Sequence, residues 1–300
     1  MKKTTIVIVW ALCLGTATML LPACNKQEEI GNQQNKNNTQ DFNGNYHLRS
    51  TSDMISSLSE VGNLHNEGLD FVYQKIYDAI NGTSLHPGNE EMFFMLADGI
   101  TEFIGTKFEL CSDANFDSLK NYSNNYMQEI IFQASYYTPD LFRLHAGYDC
   151  SPELMAALDN MLMIGRLPSL LYSDKIYMWD QMLEERLLTI NSEIEQMALI
   201  AAINTAKSSY VYWMDSDNYQ KWIHVMNIHN EESVAARNAF WESDAIGAAN
   251  GLIRGAIIGF CATGPGGALA GGVGYAVVGG VSASATFACF NVFFNAVGWL

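Results

Sequence analysis

The chain has 300 residues, 49% of them hydrophobic, and a formal net charge of −16 from 32 acidic against 16 basic side chains. That length supports one or two domains with a full hydrophobic core. So acidic a surface is repelled by phosphate backbones and anionic lipid, so no nucleic-acid partner is expected and any bilayer contact must be driven by apolar burial or a covalent lipid.

The first element is a secretory leader. Lys2 and Lys3 precede an apolar run from Ile6 to Leu21, too short and wrongly flanked for a spanning helix, and small residues follow. The end of this segment, Leu21-Pro22-Ala23-Cys24, resembles the lipobox of bacterial lipoproteins. That resemblance implies removal of residues 1–23 and attachment of a diacylglycerol to the Cys24 thiol. Residues 24–49, rich in Asn, Gln and Gly, hold too little apolar surface to offset their ordering entropy and read as a flexible tether. Within them Asn25 and the run Lys26-Gln27-Glu28-Glu29 resemble the sorting and export signals of surface lipoproteins of the Bacteroidetes group. Arg49, at the foot of the tether, is a candidate cleavage site for a trypsin-like or clostripain-like protease.

From residue 50 to 243 the periodicity is helical throughout, and an all-α bundle is expected. One amphipathic helix is predicted from the capping residues Ser50–Ser52 to Ile80, stopping at Asn81-Gly82. A second starts near Asn89 and carries Met92, Phe93, Leu96, Ile100, Phe103 and Ile104 on one face. A third spans about 115–137 and ends at Thr138-Pro139. Ser151-Pro152-Glu153 then marks a helix start: a capping hydroxyl, a proline at the first helical position and a carboxylate facing the dipole. Gly165 and Pro168 close that helix, with Arg166 between them as a second candidate cleavage site. A single long helix is predicted over 173–214, broken by Asp215-Ser216-Asp217 before another through Ile228.

Candidate chemistry in this body is sparse. None of the six histidines forms a metal-binding pair, and His224 and His229, five positions apart, fall on different helix faces; all are expected at the surface or at caps. Glu184, Glu185, Glu193 and Glu195 read as a solvated helix face. Asp215, Asp217 and Tyr219 begin like a calcium loop but lack its glycine and closing glutamate. No nucleophile elbow or phosphate loop precedes a helix, so neither an enzyme nor a metal or cofactor is expected. The aromatic run Tyr210–Trp213, with Tyr219 and Trp222, is expected to pack helices rather than line a ligand cleft. Of the body's four cysteines, Cys111 and Cys150 flank helical segments and form the candidate disulfide. Cys261 and Cys289 lie in the tail, and all three pairings of the four stay open.

The last segment, 244–300, carries no charge beyond Arg254 once Asp244 is passed. Gly247, Gly251, Gly255 and Gly259 recur every fourth residue, which places them on one ridge of a helix. Gly264-Pro265-Gly266-Gly267 makes a turn, after which Gly272, Ala276, Gly280 and Ser284 resume the same step. Two small-residue ridges about a tight turn predict an apolar helical hairpin whose backbones approach closely. An arm over 245–262 would measure about 27 Å, near the thickness of a bilayer's hydrocarbon core.

This segment, from about Ala245 to Ala285, resembles the glycine-zipper tails of bacteriocin-like peptides and proteins, and a helical bundle followed by an apolar hairpin is similar to the pore-forming colicins. The resemblance implies an antibacterial, membrane-inserting protein whose partners are membrane lipid, a target-cell receptor, a processing protease or further copies of itself. The competing expectation is a structural or partner-binding envelope lipoprotein whose hairpin is an anchor or a buried core.

Overall fold

The computed structural model describes residues 51–81, 89–107, 149–225, 234–263 and 272–283, together with residue 121. They belong to the compact unit Leu48–Leu300. Among them there is no strand, and the fold is all-α: eight bounded helices followed by a helical segment at 272–283.

The first two helices are α1, Thr51–Leu58, and α2, Val61–Asn81. The single helix expected there breaks because the Ser59 hydroxyl donates to Ser56 O at 2.7 Å, a local bond that competes with the helical ladder. The chain restarts with Leu64 N–H donating to Glu60 O. Helix α3, Asn89–Lys107, buries Leu96, Ile100, Phe103 and Ile104 as its periodicity predicts. The predicted helix over 115–137 lies outside the described residues.

Helix α4, Pro152–Arg166, starts as the sequence predicts: the Ser151 hydroxyl accepts from Leu154 N–H, and proline occupies the first turn. The long helix expected over 173–214 is instead two, α5, Tyr172–Leu187, and α6, Glu193–Met214. Thr189 Oγ1 and the Ile190 amide both donate to Arg186 O, closing α5, while the Gln196 amide donates to Leu187 O and Ile190 O. Ser192 then caps α6. Asp215 caps α7, Ser216–Val225, by accepting from Asn218 N–H at 2.9 Å. The last bounded helix, α8, runs Val234–Thr263 over 30 residues and so begins well before the expected arm.

Helix α6 is the axis of the bundle. Met197 to Ile203 are buried all round its circumference, which happens only when neighbours cover every face. It touches α1, α2, α4, α5, α7 and α8, the last most extensively. Tyr212, Trp213, Tyr219 and Trp222 are core residues here, with Trp213 stacked on Phe240 of α8 at 4.2 Å between ring centroids. The expected packing role of that aromatic run is what the structure contains.

Candidate functional site

The glycine ridge of α8 lies directly against the 272–283 segment. A Cβ added at Gly247 would stand 2.8 Å from the Gly279 carbonyl carbon and 2.9 Å from Ala283 Cβ. One added at Gly251 would stand 2.6 Å from the Tyr275 carbonyl carbon and 3.1 Å from Ala276 Cα. At Gly272 it would meet Leu252 Cγ at 3.3 Å and Ala256 Cβ at 3.7 Å. Contacts that ascend one helix while descending the other define an antiparallel pair. At Gly247 and Gly251 backbone meets backbone, because no side chain intervenes there.

The described parts of both arms are largely buried. Ala248, Ala249, Leu252, Ile253 and Ala256 of α8 and Tyr275 to Val278 and Val281 of the facing segment belong to the hydrophobic core. Gly255 is buried on α8, and Arg254 is partly exposed. Gly280 faces the seam between α8 and α2. A Cβ there would meet His65 Cδ2 of α2 at 2.7 Å and Asp244 O at 3.2 Å. Gly68 of α2 receives Val281 in the same way, its added Cβ lying 2.9 Å from Val281 Cγ2. Among the described residues no helix is long and apolar enough to cross a membrane.

At the foot of this pair sits a fully buried polar cluster. Asp244 of α8 and His65 of α2 are each 0% exposed. Asp244 Oδ2 accepts from Ser209 Oγ at 2.5 Å and from Trp213 Nε1 at 2.8 Å, both on α6, while Asp244 Oδ1 lies 3.4 Å from His65 Nε2. Asn66 Oδ1 is 3.0 Å from His65 Nδ1, and the Asn66 amide donates to Ser208 O, tying α2 to α6. A Ser, a His and an Asp together invite comparison with a nucleophilic triad, which needs the imidazole between hydroxyl and carboxylate. Here the Ser209 hydroxyl gives its hydrogen to Asp244 directly, and its side chain is sealed from solvent. The cluster joins helices; it does not present a nucleophile.

His65 overturns the expectation that every histidine lies at the surface or a cap. Its burial has no local signal, because its partner Asp244 comes from the far end of the chain. Glu195 is a second departure from the sequence reading. It is 2% exposed and accepts from Ser151 N–H at 2.8 Å and from Ser151 Oγ at 2.5 Å. The signal was present: Ser192 followed three residues later by Glu195 is the pattern of a helix start. A third ionic tie is lateral. Arg166, the last residue of α4, makes a two-pronged pair with Glu242 of α8, Nε to Oε1 at 2.7 Å and Nη2 to Oε2 at 2.6 Å.

Burial also acts on the tyrosines around α6. It pushes Tyr212 far above the usual phenol value, partly opposed by the hydrogen bond from Trp222 Nε1 and reinforced by the nearby Asp70 carboxylate. Tyr172 and Tyr219 are raised by burial as well.

Of the other predicted site residues, Gly259 lies within α8 and Ala276 is buried. Cys150 is buried; its candidate partner Cys111 lies outside the described residues. Cys24, Arg49, the turn Gly264, Pro265, Gly266 and Gly267, and Ser284 lie outside them too. Compared with family models, curated proteins and solved structures, the chain has no match.

Proposed function

We propose that this chain is an exported lipoprotein, anchored through Cys24, whose helical body holds a membrane-inserting glycine-zipper hairpin in reserve, and that its role is antibacterial permeabilisation of a target membrane. The observation that carries this reading is the contact of Gly247 and Gly251 with the backbone at Gly279 and Tyr275. Two arms that already satisfy each other through small-residue faces can move from protein to lipid as one unit, since van der Waals packing of such faces is what holds helices together in lipid. Neither arm acts as a lone span in this reading, in keeping with the lack of a single apolar helix of spanning length among the described residues. Release follows cleavage near Arg49, or at Arg166, the end of α4 that is paired to α8 through Glu242. Persistence of the uncleaved form alone, on cells and in medium, would reject the cleavage step.

The test is dye release from liposomes by the full chain. Gly251→Leu combined with Gly272→Leu should abolish release that the parent chain produces. Equal release by both discards the zipper mechanism.

A second reading has its own support. The described parts of both arms pack in the core of the bundle, and α8 is joined by the polar contacts of Asp244 to α2 and α6. That favours a structural or partner-binding envelope lipoprotein whose hairpin never leaves the body. Growth inhibition of related bacteria by the producing strain belongs to the first reading. Absence of inhibition, with the arms equally protected from hydrogen exchange with and without vesicles, belongs to the second.

A further inference from the structure

We infer that Asp244 is a latch that keeps the hairpin inside the bundle; the inference rests on the reading of that hairpin as a mobile unit. Asp244 is the last carboxylate of the chain and lies one helical turn before Gly247, where the uncharged arm begins. Asp244 is the residue where α2, α6, α8 and the second arm meet, its carboxylate facing α2 and α6 and its backbone oxygen facing the second arm. Ser209 and Trp213 donate to it from α6, His65 approaches it from α2, and Gly280 of the second arm packs on the His65 ring and on Asp244 O. Breaking this one cluster therefore loosens both arms from α2 and α6 together.

The joint is also incompletely satisfied. Among the described residues, three buried side-chain atoms find no hydrogen-bond partner: His65 Nε2 on α2, Thr205 Oγ1 on α6 and Asn250 Oδ1 on α8. His65 Nε2 belongs to the joint itself, and the other two lie on the helices that the joint connects. A core selected only for stability would carry apolar residues there, because an unmatched buried polar atom costs free energy that a methyl group does not. Polar groups that hold through one shared carboxylate, with His65 Nε2 no nearer to it than 3.4 Å, make a joint that is closed but not deep.

The experiment is hydrogen exchange followed by mass spectrometry on the full chain without lipid, comparing Asp244→Asn with the parent. Amides of 272–283 and 247–257 should exchange at least about tenfold faster in the variant, while those of α4 and α5 keep their parent rates. Glu242→Gln, two residues earlier and bonded only laterally to Arg166, should leave the 272–283 rates within about twofold. Unchanged exchange in Asp244→Asn, or equal acceleration in every helix, overturns the latch. If Asp244→Asn fails to fold, Ser209→Ala removes a single donor and must show the same selectivity at a smaller size, and a uniform rise there overturns the latch equally. Adding vesicles separates this inference from the membrane role. Selective opening without any rise in dye release supports the latch and rejects membrane insertion. A rise in release without selective opening rejects the latch and leaves insertion standing.

Discussion

Adding a single methyl group at Gly251 should cost stability, whereas the same methyl at Gly274 should add it. At Gly251 the new Cβ would stand 2.6 Å from the Tyr275 carbonyl carbon and 3.1 Å from Ala276 Cα, both of them backbone. Neither can rotate away, and carbon atoms rest at about 3.5–4.0 Å, so the arms must part by about 1 Å. A gap of that size forfeits roughly a quarter to a half of the dispersion energy along the seam, including the nearby contact at Gly247. Overpacking of this kind costs about 1–3 kcal/mol, against which alanine's better helix propensity returns about 1 kcal/mol. The net expectation for Gly251→Ala is a loss of up to about 2 kcal/mol, or a Tm lower by up to roughly 8 °C. At Gly274, among the described residues, nothing lies within 4 Å of an added Cβ. Gly274→Ala should therefore keep the propensity gain, about 0.5–1 kcal/mol, and raise Tm by roughly 1–4 °C. Thermal unfolding followed by far-ultraviolet circular dichroism, as a single two-state transition, measures both. Equal shifts of the same sign would refute the claim that α8 and 272–283 touch through their backbones.

Two further outcomes follow from the buried polar groups. Glu195→Ala leaves the Ser151 amide without its carboxylate acceptor inside the bundle, so urea unfolding should show a loss of about 2 kcal/mol and exchange should accelerate first in the opening turn of α4. A loss confined to α6 would contradict the cross-bundle bond. Tyr212 has a folded-state pKa raised by burial above its unfolded value, so the stabilisation it contributes is full below about pH 10 and is lost as pH climbs beyond that. Ultraviolet titration should show Tyr212 ionising only as the chain unfolds in alkali, and Tyr212→Phe should move that unfolding to higher pH. Early ionisation of Tyr212 with the fold intact would remove the argument.

Much of the fold is legible in local signals. Ser151-Pro152 and Asp215 announce helix starts because a capping hydroxyl or carboxylate acts on amides only two or three residues away. The periodic face of α3 likewise predicts the burial of Leu96, Ile100, Phe103 and Ile104. The break at 188–192 was harder to see, since Leu187, Ile190 and Ile194 keep helical spacing across it. The signal that mattered was the capping pair Ser192 and Glu195, half of which was occupied elsewhere.

The four-residue step of Gly247, Gly251 and Gly255 determined, without any structure, that one face of the last long helix would be bare and open to close approach, because spacing on a helix is a matter of its own geometry. Which surface meets that face was not contained in the spacing. Nor was the fate of His65, whose burial depends on a carboxylate at Asp244 and a glycine at Gly280. Charge and desolvation act through space rather than along the chain, so only the packing of α2, α6 and α8 could decide that these residues form one joint.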